Sequence, residues 1–359
     1  MANAHPYFPC YGISEWEIHP ANNTMDFVIR TATGWAIHVD INPSYFLRSP
    51  RLLQEYSRYM EALRTRHLTM GSVDALNWLA TPFRLVVAEL AEHSPPLPAG
   101  VIPTLWHYLS APRAVFQLHA VDENFRPVRI ASSPRSLTAV ATRIDEQFLT
   151  MPHRWTVWYH PCRVQIDMLF RHNPMINPPC KVWALSKNHQ PAVCYFKQFR
   201  SGYVLGEENA KLLAQKKLAL ARGTAKNRHQ ICTLHGLVLD ESGHGFVGML
   251  FDWIDVRGIM SRNQVASASH QLRDKWAQQI KSSVEKLHSV GAVWGNAAWN
   301  DVLIDRNDNA WITGFGASYL PGWVDADKRG TVDGDLQGLE KILDMLQPAS
   351  RRAPTFFSF

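Results

Sequence analysis

Between Val293 and Tyr319 the chain reads VWGNAAWNDVLIDRNDNAWITGFGASY. The side chains there with chemistry in them are Asn296, Asp301, Asp305 and Asp308. Upstream, Lys197 stands near the end of an alternating run, VCYFKQF. Asn296 offers a hydrogen-bonding amide but takes no proton at neutral pH, and a positioned base is typically worth about 10²–10⁴-fold. Asp301 is a potential metal ligand. A single carboxylate is nonetheless a poor site for magnesium, which prefers several oxygen ligands and retained waters. Asp305, Asp308 and Asp325 fall in turn or loop sequence, where solvated acids are common. His160 and Cys162, in YHPC, have no second ligand pair at a matching spacing, so no metal site is read from the sequence.

The elements that must position these groups follow from periodicity. KVWALSKNHQPAVCYFKQF predicts two strands joined by a polar turn that holds no glycine, and Lys197 ends the second. GEENAKLLAQKKLALARG predicts a helix with acids in its first turn and bases later, the order the helix dipole favours. HQICTLHGLVLDESGHGFVGMLFDWID predicts two strands around DESGHG. LRDKWAQQIKSSVEKLHSVG has Trp276, Ile280, Val284 and Leu287 on one helical face and Gly291 closing it. A short strand in AWITGFG and a helix in DGDLQGLEKILDMLQ complete this part. Further upstream, MDFVIRTATGWAIHVDI predicts a hairpin around Thr33-Gly34. Leu52, Leu53, Tyr56, Met60 and Leu63 predict a helix, with Ser49 as its cap and Pro50 in the first turn. ALNWLATPFRLVVAELAEH predicts a helix that Pro82 interrupts or starts. AVFQLHAVDENFRPVRIA predicts strand, turn and strand, with one more small helical element towards Leu149.

The chain has 359 residues, is 46% hydrophobic and only 19% charged, and holds 13 Trp, 16 Phe and 10 Tyr, which excludes a disordered chain. Its net charge of +6 is scattered without a basic run, so no nucleic-acid partner is expected. The five cysteines form no CxxC pair and read as free thiols of a reducing compartment. The absence of a basic segment followed by an apolar one at the start, and of any apolar run of about 18 residues, predicts an intracellular, cytoplasmic chain with no membrane span.

The order of elements resembles the protein-kinase fold. More closely, the chain is similar to a fungal group of kinase-like proteins whose catalytic loop reads W-G-D-x-x-P-x-N-V-L-I-D. The resemblance covers about residues 155–346 and rests on LHSVGAVWGNAAWNDVLIDRNDNAWI, GFG and GDLQGLEKI. It implies an α+β chain with a bilobal, kinase-like domain at residues 151–359. That domain would hold a small β-rich lobe at about 151–255, a truncated helical lobe at about 256–346 and a tail at 347–359. An α+β region of unassigned role, residues 1–150, would precede it. Carried across by residue, the catalytic base falls on Asn296, the loop lysine on Ala298, the loop proline on Trp299 and the metal-binding Asn on Asp301. The DFG aspartate falls on Gly314, before Phe315. Lys197 matches the phosphate-binding strand lysine, with Glu207 or Glu208 as its helix partner. Asp335 matches the buried aspartate that braces the loop, and His288 belongs to the same frame.

The departures imply that phosphoryl transfer is lost. No base, no loop lysine, no DFG carboxylate and no Gly-rich cover are present, and the interval from Gly314 to Asp335 holds no A-P-E motif. The cleft that the resemblance implies would be lined by Lys197, Glu208, Asn296, Ala298, Trp299, Asp301, Gly314 and Phe315, neutral and partly aromatic. Such a lining suits an apolar small molecule. The expected function is a metal-free, cofactor-free cyclisation or isomerisation of pericyclic type in fungal secondary metabolism, with Asn296, Asp301 and Lys197 as its catalytic groups. The alternatives are a non-catalytic pseudokinase that binds partners and, third, a residual ATP-dependent kinase.

Overall fold

The structure is a computed structural model and describes residues 10–64, 70–93, 100–131, 143–150, 154–169, 175–185, 191–199, 207–221, 229–295, 297–315 and 322–347. It is a mixed α+β chain. Strands β1 (Tyr11–His19), β2 (Thr24–Thr31) and β3 (Ala36–Ile41) lead into helices α1 (Pro50–Arg64), α2 (Met70–Ala80), α3 (Arg84–Glu92) and α4 (Leu105–Leu109). Strands β4 (Arg113–Val121) and β5 (Asn124–Ile130), helix α5 (Glu146–Leu149), and strands β6 (Val157–Tyr159), β7 (Val164–Ile166), β8 (Lys181–Leu185) and β9 (Pro191–Gln198) follow. Helix α6 (Glu207–Leu220), strands β10 (Leu234–Leu239), β11 (Phe246–Asp252) and β12 (Val256–Ile259), and helices α7 (Arg262–Ser267) and α8 (His270–Ser289) come next. Strands β13 (Val302–Asp305) and β14 (Ala310–Ile312) and helix α9 (Val332–Leu346) complete the described elements. Every predicted element that lies within the described residues is present. Residues 186–190 of the turn SKNHQP and most of SPPLPAG lie outside them, as does the tail beyond Gln347.

The chain divides into two compact units, residues 1–140 with 160–192, and residues 141–159 with 193–359. In the first, a five-stranded sheet runs in the order β1-β2-β3-β4-β5, antiparallel except where β3 meets β4. That parallel pairing requires a long crossover, and α1 to α4 supply it. Alternation sends Phe27, Ile29, Ile37, Val39 and Phe116 to one face, where Tyr56, Met60, Phe83 and Val87 cover them. Pro82 sits in a 3₁₀ turn between α2 and α3. The start of α1 departs from expectation. The Ser49 hydroxyl accepts from the Glu123 backbone N–H at 3.0 Å. The Glu123 carboxylate instead accepts the free N–H groups of Arg51 and Leu52, each at 3.1 Å. Glu123 belongs to the tight turn between β4 and β5, where it and Asp122 both have positive φ.

In the second unit, β6-β10-β11-β9 form one run of paired strands and β12-β13-β14 another. Trp276, Ile280, Val284 and Leu287 of α8 are all buried, against Ile304, Ala310 and Ile312 of β13 and β14 and Leu339 and Ile342 of α9. Ser269 caps α8 by accepting from Leu272 N–H, and Thr331 caps α9 by accepting from Gly334 N–H.

Candidate functional site

The charged groups of the second unit gather where β9, α6 and the segment before β13 place them. Lys197 stands in β9, in register with Met249 of β11. Its Nζ lies 3.0 Å from Glu208 Oε1, in the first turn of α6. Of the two candidates in the sequence, Glu208 pairs with it, and the Glu207 side chain lies outside the described side chains. One turn along α6, Lys211 Nζ lies 3.6 Å from the other Glu208 oxygen. The Lys211 side chain is only 8% exposed, whereas Lys197 is 37% exposed. Burial works against the Lys197 charge, but Glu208, with smaller help from Lys211 and Tyr195, holds the ammonium pKa above the ordinary lysine range. For Lys211, burial and then the Lys197 charge dominate, and its pKa falls to about 8.

Asp301 ends the 3₁₀ turn Trp299–Asp301, and its carbonyl accepts from both the N–H and the hydroxyl of Thr313, at 2.8 and 3.0 Å. Its side chain lies over Gly314, whose φ is +70. A Cβ added at Gly314 would stand 2.1 Å from Asp301 Oδ1. The Asp301 carboxylate thus occupies the volume a side chain at 314 would need. Burial pushes its pKa up to about 7, against the pull of the Lys211 and Lys197 charges. Four titratable groups therefore share one partly dry environment, and two of them, Asp301 and Lys211, change protonation near neutral pH.

The remaining predicted positions are mixed in character. Ala298 is fully buried, and Phe315 belongs to the apolar core around α8, with Trp299 packed against it. Asn296 lies outside the described residues. Lys211 was missed in the sequence, although its spacing of three from Glu208 on one helix is a usable signal.

A polar brace holds the segment in place. Asp335, 1% exposed, accepts from the N–H of Trp294 at 2.6 Å and of Gly295 at 2.8 Å, and pairs with His288 Nε2 at 3.0 Å. Gly338 lets α9 approach, since a Cβ there would lie 2.1 Å from the Ala297 carbonyl oxygen. The Trp294 indole donates to Thr313 O at 2.6 Å. The other acids of this region are engaged elsewhere. Asp305 accepts from Asn307, Asn309 and Trp311 and closes a turn. Asp308 pairs with Arg257 at 2.7 Å, and Asp325 with Lys328 at 2.9 Å. His160 caps a 3₁₀ turn by accepting from Cys162 N–H.

No protein-family model matches the chain. It is similar to the serine/threonine-protein kinase PKH3 of Eremothecium gossypii, 27% identical over 171 residues, which make up 46% of this chain and 22% of that protein. The chain therefore spans about a fifth of that relative's length. A kinase works with nucleotide and magnesium, so the donor set can be tested against that ion. Gly314 supplies no ligand, and Asp301 fills the space above it and is partly protonated near pH 7. Among the described residues no group of three or more His, Cys, Asp or Glu is placed to hold a metal. The described residues of this site do not fit magnesium. No helix among the described residues is long and apolar enough to cross a membrane.

Proposed function

We propose that residues of about 151–346, most of which fall in the second unit, form a kinase-like binding region that has lost phosphoryl transfer and takes an anionic group of a small ligand without magnesium. The reading treats about 151–255 as a small lobe and about 256–346 as a shortened helical lobe, with residues 1–150 ahead of them. One observation carries it: the Lys197–Glu208 pair is kept at 3.0 Å, while the Asp301 side chain stands where a metal-binding side chain at 314 would have to stand. Two lysines against one full and one partial carboxylate leave a surplus of positive charge, and Lys197 keeps enough exposure to meet a ligand. The similarity to a serine/threonine kinase supports the kinase-like frame.

ATP titrated into the full chain in excess EDTA, followed by tryptophan fluorescence, tests the reading. A saturable change that is lost in Lys197→Met is expected. Binding that needs magnesium overturns it.

A second reading keeps an enzyme: a metal-free isomerisation or cyclisation of an apolar ligand, with Asn296, Asp301 and Lys197 as its reacting groups. The specific support is Asp301, whose pKa near 7 makes it both proton donor and acceptor at neutral pH, beside Lys211 near 8. Turnover with a pH midpoint near 7 that vanishes in Asp301→Asn would favour it.

A further inference from the structure

The first unit buries a guanidinium whose Nε–H finds no hydrogen-bond partner. Arg30 of β2 is in register with Ala36 of β3, which is in register with Arg113 of β4. The next row is Val28, His38 and Val115. Alternation puts both rows on the face of the sheet opposite the one that packs on α1 to α3. On this face Val28, Ala36 and Ala111 form a small apolar cluster. Helix α4 brings Tyr108 against Arg30. The guanidinium carbon lies 3.7 Å from the ring centroid, and Nη1 donates to Tyr108 O at 2.7 Å.

Arg30 is 7% exposed, and its Nε–H has no partner. Tyr108 OH and His38 Nε2 near Arg30, and Ser110 Oγ two residues along from Tyr108, are likewise buried without partners. Among the described residues no carboxylate pairs with Arg30. Glu15, in register with Val28 on β1, lies on the same face, and its charge acts on Tyr108. Burial and the Arg113 and Arg30 charges push the His38 pKa down to about 4, so this imidazole is neutral at pH 7.

A guanidinium does not deprotonate, so burial cannot be relieved by losing its proton. One carbonyl and a ring face only partly offset the desolvation of a full charge. A water can satisfy the free N–H but not the charge. With Nη1 committed to Tyr108 O, Nε and Nη2 remain as the two-pronged edge that matches a planar carboxylate. Arg30 is the buried cation of this face, and Arg113 and Glu15, which also act on it, carry opposite charges, so a monoanion balances the site better than a dianion.

We propose that this face is a binding site for a small monocarboxylate, held by Nε and Nη2 of Arg30 with the Tyr108 and Ser110 hydroxyls as neutral partners. Thermal-shift titrations of the full chain with sodium acetate and sodium propionate, against sodium chloride at equal ionic strength, test it. The carboxylates should stabilise the protein saturably where chloride does not. Arg30→Lys, which keeps the charge and loses the fork, should weaken the apparent affinity about tenfold or more. Tyr108→Phe keeps the ring under Arg30 and should weaken it less. Equal responses to acetate and chloride, or an unchanged affinity in Arg30→Lys, overturn the proposal. If Arg30→Lys fails to fold, Tyr108→Phe and Ser110→Ala decide, and unaltered affinity in both overturns it. Binding of inorganic phosphate alone also rejects the carboxylate assignment.

Discussion

Gly314 and Asp301 compete for one volume, and this sets what single changes can do. Asp at 314 cannot simply supply a metal ligand, because its Cβ would meet Asp301 Oδ1 at 2.1 Å on a left-handed backbone. Gly314→Ala should cost about 1–3 kcal/mol for the strain and clash, read from urea unfolding. An unaltered midpoint would contradict the packing. The same carboxylate predicts a pH dependence. Folded Asp301 holds its proton up to about pH 7, whereas the unfolded chain releases it near pH 4. Its contribution to stability is therefore full below about pH 4 and is lost as the pH rises to about 7. Lys211 acts at the other end: with a folded pKa near 8, it makes stability rise from about pH 8 to about pH 10. Urea midpoints across pH should lose the first slope in Asp301→Asn and the second in Lys211→Met. Lys197 and Asp301 were legible as single residues. Their shared environment was not, because segments far apart in sequence build it.

At the scale of elements, periodicity told most of what was needed. Trp276, Ile280, Val284 and Leu287 repeat at helical spacing because α8 buries one stripe, and all four are buried. Caps were harder to read. Ser49 is the right residue type in the right place, yet the N–H groups of Arg51 and Leu52 go to Glu123, 72 positions from Arg51. A local signal carries no information about such a partner. Glu123→Ala should therefore destabilise the chain by about 1 kcal/mol, with little effect expected from the hydroxyl-to-helix contact that Ser49 does not make. At the other end of the chain, Asp335→Asn should cost about 2–3 kcal/mol. It removes the anionic acceptor of Trp294 and Gly295 and the partner of His288. Melting curves at pH 7 check both.

At the scale of the molecule, composition predicted a chain with a large core, and strand and helix order predicted a mixed α+β fold; the structure is one. Which distant segments share a core is not a property of local pattern, and residues 160–192 group with the first 140. The resemblance to kinases was legible because GDLQGLEKI and VLID are structural. Asp335 and Gly338 hold the segment around Trp294 and Ala297 whatever the site now does. The proposed loss of phosphoryl transfer rests mainly on the groups that are missing. The proposed loss of phosphoryl transfer is measured most directly as ADP formation by the full chain in millimolar Mg-ATP, with a Lys197→Met control. No ADP above the control is predicted. Magnesium-dependent ADP formation that disappears in Lys197→Met would contradict the account.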